Sequence, residues 1–130
     1  MKVTLELLKK HKACEDAIKE FINLKLEGIE VYDLIKMLHE RKDDNEYSYW
    51  LFKKLKLSGL SVGYRRDGSV WYKHNYKNGE LHGLYVDYRY DGSVVYKDNY
   101  KDGKLHGLCI SYWRDGSVRY KHNYKNGEEI

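Results

Sequence analysis

Long apolar runs are missing from this 130-residue chain. No segment approaches the roughly 18 consecutive apolar residues that a membrane span needs, so no transmembrane segment is expected. The stretch Met1-Lys2-Val3-Thr4-Leu5-Glu6 lacks the uncharged run of a signal peptide, and cytoplasmic residence is the expectation. Cysteine is scarce: Cys14 and Cys109 lie far apart, which fits reduced packing thiols and not a disulfide framework. Neither sign of charge dominates. The formal net charge of +4 divides into 12 basic and 11 acidic side chains over residues 1–56 and 12 basic and 9 acidic over residues 57–130. The second part is mildly basic, without the dense Lys and Arg clusters of a dedicated nucleic-acid domain, yet it permits an acidic partner, a phosphate backbone or an anionic membrane. Catalytic motifs are missing too, since no Ser-His-Asp order, phosphate loop or paired-carboxylate arrangement stands out. Neither an enzyme nor a cofactor is therefore expected.

What the chain does have is repetition. Residues 57–80, 81–104 and 105–128 align without a gap at a period of 24, and 14 of the 24 columns are identical, including Asp-Gly-Ser-Val and Asn-Tyr-Lys. A fixed period of this length marks supersecondary units that bury their apolar faces by stacking on neighbours. Such arrays present extended surfaces more often than enclosed pockets.

Ahead of the repeats, apolar residues recur at helical spacing. Leu5, Leu7 and Leu8 open a first helix; Ala13, Ala17, Ile18, Phe21 and Ile22 stripe a second that ends near Gly28; Val31, Leu34, Ile35 and Leu38 line a third. After the polar cluster Arg41-Lys42-Asp43-Asp44-Asn45, the residues Tyr47, Trp50, Leu51 and Leu55 predict a fourth, with Asp44 or Asn45 as N-cap.

From Leu57 the period changes to 2. Six pairs, Asp67-Gly68, Asn78-Gly79, Asp91-Gly92, Asp102-Gly103, Asp115-Gly116 and Asn126-Gly127, are spaced alternately by 11 and 13 residues. Each predicts a tight hairpin turn whose two central residues take positive φ. Six turns give a six-stranded antiparallel meander. The longer segments contain Leu81-His82-Gly83-Leu84 and Leu105-His106-Gly107-Leu108, where a glycine within a strand predicts a bend or a close backbone approach. Alternation places Leu60, Val62, Tyr64 and their equivalents on one buried face with Val70, Tyr72, Tyr76 and theirs. Lys73, Lys97 and Lys121, with Asn75, Asn99 and Asn123 and with Arg65, Arg89 and Trp113, are expected on the opposite, solvated face.

Read from Tyr72 through His74, Asn75, Asn78-Gly79 and His82-Gly83, and again from Tyr96 and in part from Tyr120, the tail resembles the MORN repeat. It is most similar to the bacterial YwqK-like antitoxin group. The resemblance implies a β-hairpin array; for function it implies only a binding role, because repeats of this type look alike across membrane-binding, scaffold and enzyme-accessory proteins. The head, with Ala13-Cys14 before Phe21 and Trp50-Leu51-Phe52 before Leu55, resembles the short helical heads of small phage and mobile-element proteins.

Particular residues divide into packing and binding candidates. His74 and His122 share one repeat column and His82 and His106 another, with Asp98 in the middle copy of the first. Whole-repeat spacing explains them better than a converging zinc site, and no metal is expected. The acidic pairs Asp43-Asp44 and Glu128-Glu129 are expected to be hydrated surface. Most of the 11 tyrosines in the repeats occupy invariant columns and are expected to pack. Trp71, Tyr85, Tyr90 and Trp113 stand in variable columns instead, where a specific partner would be read, and exposed aromatics with Arg are typical interface anchors. Lys73, Lys97 and Lys121 beside Arg65 and Arg89 form a second candidate set for phosphates, with aromatic neighbours for stacking bases. An anionic lipid is a third candidate ligand. The fold class expected is α+β: a helical head over residues 1–56, with Trp50, Leu51 and Leu55 covering the first sheet edge, and three MORN-like hairpins over residues 57–130. The expected function is non-enzymatic protein binding, as a small inhibitor, antitoxin or phage anti-defence factor such as an anti-CRISPR, with dimerisation through the open last strand as an option.

Overall fold

The structure, a computed structural model, describes residues 1–41 and 46–130. It separates into two compact units, Met1–Arg41 and Lys42–Ile130. The boundary thus lies ahead of the change in periodicity at Leu57, and the fourth helix belongs with the sheet. Asp43, Asp44 and Asn45, and with them the expected N-cap, lie outside the described residues.

In the first unit, helix α1 (Leu5–Lys10) starts where Thr4 Oγ1 accepts the amide of Leu7 at 3.1 Å, satisfying one of the donors a helix start leaves unpaired. Helix α2 (Glu15–Asn23) has Glu15 and Asp16 in its first turn, next to the positive end of the helix dipole. Helix α3 (Val31–Arg41) follows. Leu8, Phe21, Val31, Leu34, Ile35 and Leu38 are buried on the predicted stripes, whereas Ile22 is exposed. A two-residue pairing of β1 (Lys2–Val3) with β2 (Ile29–Glu30) is too short to leave any alternation in the sequence.

The second unit opens with α4 (Glu46–Lys54) and continues as one antiparallel sheet. Its strands are β3 (Gly59–Tyr64), β4 (Val70–Lys77), β5 (Glu80–Tyr88), β6 (Val94–Lys101), β7 (Lys104–Leu105), β8 (Gly107–Tyr112), β9 (Val118–Lys125) and β10 (Glu128–Glu129). Their order is β10-β9-β8-β6-β5-β4-β3, with β7 beside β6. The six expected strands are present, the fifth broken at His106 into β7 and β8, and β10 is a short return.

The six turns are of two kinds. At Asn78-Gly79, Asp102-Gly103 and Asn126-Gly127 both residues have positive φ, as predicted for two-residue loops. At Asp67-Gly68, Asp91-Gly92 and Asp115-Gly116 only the glycine does. There Arg65 N–H bonds Ser69 O and Gly68 N–H bonds Arg65 O, both at 2.9 Å, closing a three-residue loop. The Asp carboxylate accepts from the Ser backbone and hydroxyl two residues on, which holds the carboxyl groups of Asp67, Asp91 and Asp115 below the usual range.

The expected face assignment is overturned. A bulge between Gly63 and Tyr64, repeated at Asp87/Tyr88 and Ser111/Tyr112, shifts the register within each hairpin. Directly paired residues share a face, so Val62 stands with Lys73 and Leu60 with Asn75, while Ser61 stands with His74 and Gly63 with Tyr72. One face therefore carries Tyr72, His74, Tyr76, Tyr85, Asp87, Tyr96, Asp98 and Cys109. The other carries a row of Val62, Lys73, Val86, Lys97, Ile110 and Lys121. The strand glycines Gly83 and Gly107, at φ +97° and +105°, mark a second irregularity. Asn75 Nδ2 and Asn99 Nδ2 donate across it to Leu84 O and Leu108 O at 2.9 and 2.8 Å.

Helix α4 lies against the tyrosine face of the first hairpin. Phe52 stacks on Tyr76 with centroids 5.4 Å apart, Tyr49 meets that ring edge-on at 6.3 Å, and the Oγ atoms of Ser48 and Ser61 are hydrogen-bonded at 2.9 Å in a buried pair. The helix covers a face, where the sequence suggested the edge, because its partners Ser61 and Tyr76 project from that face. Leu51 and Leu55 are buried as expected and Trp50 is half-buried.

Candidate functional site

The repeat column of Arg65 and Arg89 immediately precedes the three-residue turn, and there the side chain folds back along the sheet. Arg65 Nη1 donates to Val70 O at 3.3 Å in its own hairpin, and Nη2 to Tyr88 O at 2.6 Å in the next. Arg89 repeats the clamp on Val94 O at 2.8 Å and Tyr112 O at 2.7 Å. The planar five-donor guanidinium suits this two-way bridge. In the third copy the column holds Trp113.

Around these clamps the exposed aromatics gather. The Arg65 guanidinium lies 4.1 Å from the ring centroid of Tyr90 and 5.8 Å from that of Trp71, and the Arg119 guanidinium lies 4.8 Å from Trp113. Trp71 is 46% exposed, Tyr90 74% and Trp113 52%. Cation–π contacts of this kind restrain rings that would otherwise move freely in water. An open groove beside them is lined by Arg65, Tyr88, Arg89, Tyr90, Asp91, Val95 and Arg114.

Five of the nine residues singled out from sequence thus form one ridge: Arg65, Trp71, Arg89, Tyr90 and Trp113. Lys73, Lys97 and Lys121 stand apart on the valine face, where apolar Val86 and Ile110 separate them along the row. Lys73 Nζ lies 5.9 Å from the ring of Tyr88, which lines the groove. Tyr85 belongs to the other face. It stacks on His74 with centroids 3.6 Å apart and planes at 11°, and lies 5.3 Å from Tyr100; burial pushes its hydroxyl up to about 12. Arg114 and Arg119 were not singled out from sequence. Applying the variable-column test to charged residues would have found them, since they share columns with Tyr90 and Trp71.

The histidines have structural partners. His82 Nδ1 and His106 Nδ1 accept the amides of Asp102 and Asn126 at 3.2 and 3.3 Å, and Ser58, in the same column, accepts that of Asn78 at 2.9 Å. His74 Nε2 is 3.0 Å from Asp87 Oδ1, and Tyr96 donates its hydroxyl to Asp87 Oδ2 at 2.8 Å. Asp98 replaces histidine in this column, and burial pushes its carboxyl above the usual range.

Residues 105–126 match the family model of a MORN repeat variant. A comparison with curated proteins finds no match to this chain. The matched segment holds β8, β9 and the turn that joins them, so this hairpin is a repeat of the MORN type.

Proposed function

We propose that the chain is a non-enzymatic protein-binding module whose partner is read by the ridge of Trp71, Arg65, Tyr90, Arg89 and Trp113. In this reading residues 57–80 and 81–104 are MORN-like repeats as well. The observation that carries it is the exposure of three large aromatics, each beneath a guanidinium, on a sheet whose hairpins are tied together by the Arg65 and Arg89 clamps. Trp, Tyr and Arg are the residue types most enriched at interface hot spots, and rings already ordered lose little freedom on binding. Repeats of the MORN type commonly serve as protein- or lipid-binding modules, which agrees with a binding role. The resemblance to antitoxin repeats adds the biological part: a small cytoplasmic inhibitor of a bacterial protein complex, of the antitoxin or phage anti-defence type. The outer edge of β9, met only at its end by β10, is where a second copy would add.

Affinity capture from host lysate with nuclease present, using the wild type and a Trp71→Ala, Tyr90→Ala, Trp113→Ala triple variant, tests the reading. A protein held by the wild type and lost by the folded triple variant supports it. A partner retained by the triple variant rejects it.

One observation favours a second reading. The row of Lys73, Lys97 and Lys121 has no acidic side chain among its paired neighbours, which suits the phosphate backbone of a nucleic acid. A catch that disappears on nuclease treatment would select it.

A further inference from the structure

The junctions between successive hairpins are built alike except at one column. At the first junction the clamping Arg65 faces Tyr90, and the guanidinium rests on a ring 4.1 Å away. At the second junction the clamping residue is Arg89, and the column of Tyr90, one period on, holds Arg114. A second guanidinium replaces the ring. Arg65, Arg89 and Arg114 line one groove, and among the described residues none of the three comes within 4.0 Å of a carboxylate.

Arg65 and Arg89 spend their hydrogen bonds on neutral carbonyls and, for Arg89, the Ser93 hydroxyl. Such partners fix the guanidinium without cancelling its charge. Asp91 is the one acidic residue in the lining; its carboxylate accepts from the hydroxyl and amide of Ser93 and also feels the charges of Arg114 and Arg89. Three positive groups against one engaged carboxylate leave a surplus of positive charge in a concave, partly apolar setting of Tyr88, Tyr90 and Val95, where field lines concentrate. Guanidinium donors match carboxylate geometry two bonds at a time.

We propose that this groove binds a carboxylate-rich segment of a partner protein, with Arg114 as the residue that sets the preference. The proposal rests on the protein-binding reading and names the chemistry of its partner. Carboxylate side chains spaced along a peptide suit three guanidiniums on successive hairpins, and Tyr88 and Tyr90 offer apolar surface to the stems between them. A single-stranded nucleic acid is the competing polyanion; the interruption of the lysine row by Val86 and Ile110 favours the peptide.

The test titrates the intact protein with hexaglutamate, hexalysine and a six-nucleotide single-stranded oligothymidylate at low salt, following Trp fluorescence and heat. Arg114→Tyr is the decisive variant, because it rebuilds at the second junction the guanidinium-on-ring pair that the first already tolerates. Hexaglutamate is expected to bind in preference to the other two, and Arg114→Tyr to weaken it about tenfold or more, the scale of one charge-assisted pair, with melting unchanged or raised. Equal binding by Arg114→Tyr, or no hexaglutamate binding at millimolar concentration, overturns the proposal. Tighter binding of the oligonucleotide than of hexaglutamate also overturns it, in favour of nucleic acid. If Arg114→Tyr keeps a captured protein that the aromatic triple variant loses, the acidic-segment inference fails while the protein-binding reading stands.

Discussion

Asn75 donates Nδ2–H to the backbone carbonyl of Leu84 2.9 Å away, across the irregularity where β5 carries more residues than β4 opposite it. Asn99 does the same to Leu108 at 2.8 Å. Asn123 occupies the same column on β9, beside which the described residues place only the short β10. Asn99→Ala should cost about 1 kcal/mol, the net worth of such a bond together with a stranded carbonyl, and Asn123→Ala much less. Urea denaturation of the two variants checks this; equal losses would mean that the column acts through local strand preference instead.

The turns separate conformational strain from steric conflict. A Cβ at Gly79 would lie 2.8 Å from Lys56 Cα, while at Gly116, also at positive φ, it meets nothing within 4 Å. Gly116→Ala should therefore cost about 1 kcal/mol for φ alone. Gly79→Val should cost about 2 kcal/mol or more, since a backbone atom must also move. A ranking reversed in thermal melts would contradict the turn geometry.

Helix α4 is part of the sheet unit and should behave as such. Phe52→Ala removes the ring stacked on Tyr76 and should lower stability by about 3–5 kcal/mol. Residues 57–130 expressed without α4 should aggregate, because the first hairpin then exposes Tyr76 and the face that Phe52 and Tyr49 cover. A monomeric 57–130 fragment as stable as the intact chain, measured by light scattering and melting, would contradict this.

Asp98 gives a pH signature of known sign. Its carboxyl lies above the usual range, chiefly because burial penalises the charge, against the opposing hydrogen bond to Cys109. A group whose folded value is raised contributes stability fully at pH below its unfolded value and loses it as pH rises through the folded one. Asp98→Asn should accordingly stabilise the protein at neutral pH, with the gain shrinking as the solution is acidified into the carboxylate range. Denaturation midpoints measured across that range would show a constant difference if the charge were not the cause.

The ridge and the tyrosine stack predict opposite phenotypes. Trp113→Ala and Tyr90→Ala should weaken partner binding by about 1–3 kcal/mol each and leave melting almost unchanged. Tyr85→Ala should lower stability by about 2 kcal/mol or more through lost contacts with His74, Tyr96 and Tyr100, with any effect on binding following the loss of fold.

The period of 24, the positions of all six turns and the helical stripes were legible in the sequence because each depends on local chemistry: positive φ at Asn-Gly pairs, apolar spacing along a helix, strings copied three times. The five ridge residues were legible for a similar reason, as aromatics and arginines at columns that vary while their neighbours do not, whereas Arg114 and Arg119 beside them were not singled out. The faces of the sheet were not. A single extra residue in the second strand of each hairpin, Trp71, Val95 and Arg119, opposite Gly63/Tyr64, Asp87/Tyr88 and Ser111/Tyr112, inverts which side chains share a side, and alternation in a strand carries no record of the register its partner adopts. Tyr85 shows the consequence, standing in a variable column yet packed against His74. The clamps were equally hidden, since Arg65 reaches a carbonyl 23 residues on, a bond that exists only once the hairpins lie side by side. Local propensity decided where the chain turns; the register of strand on strand decided which residues meet.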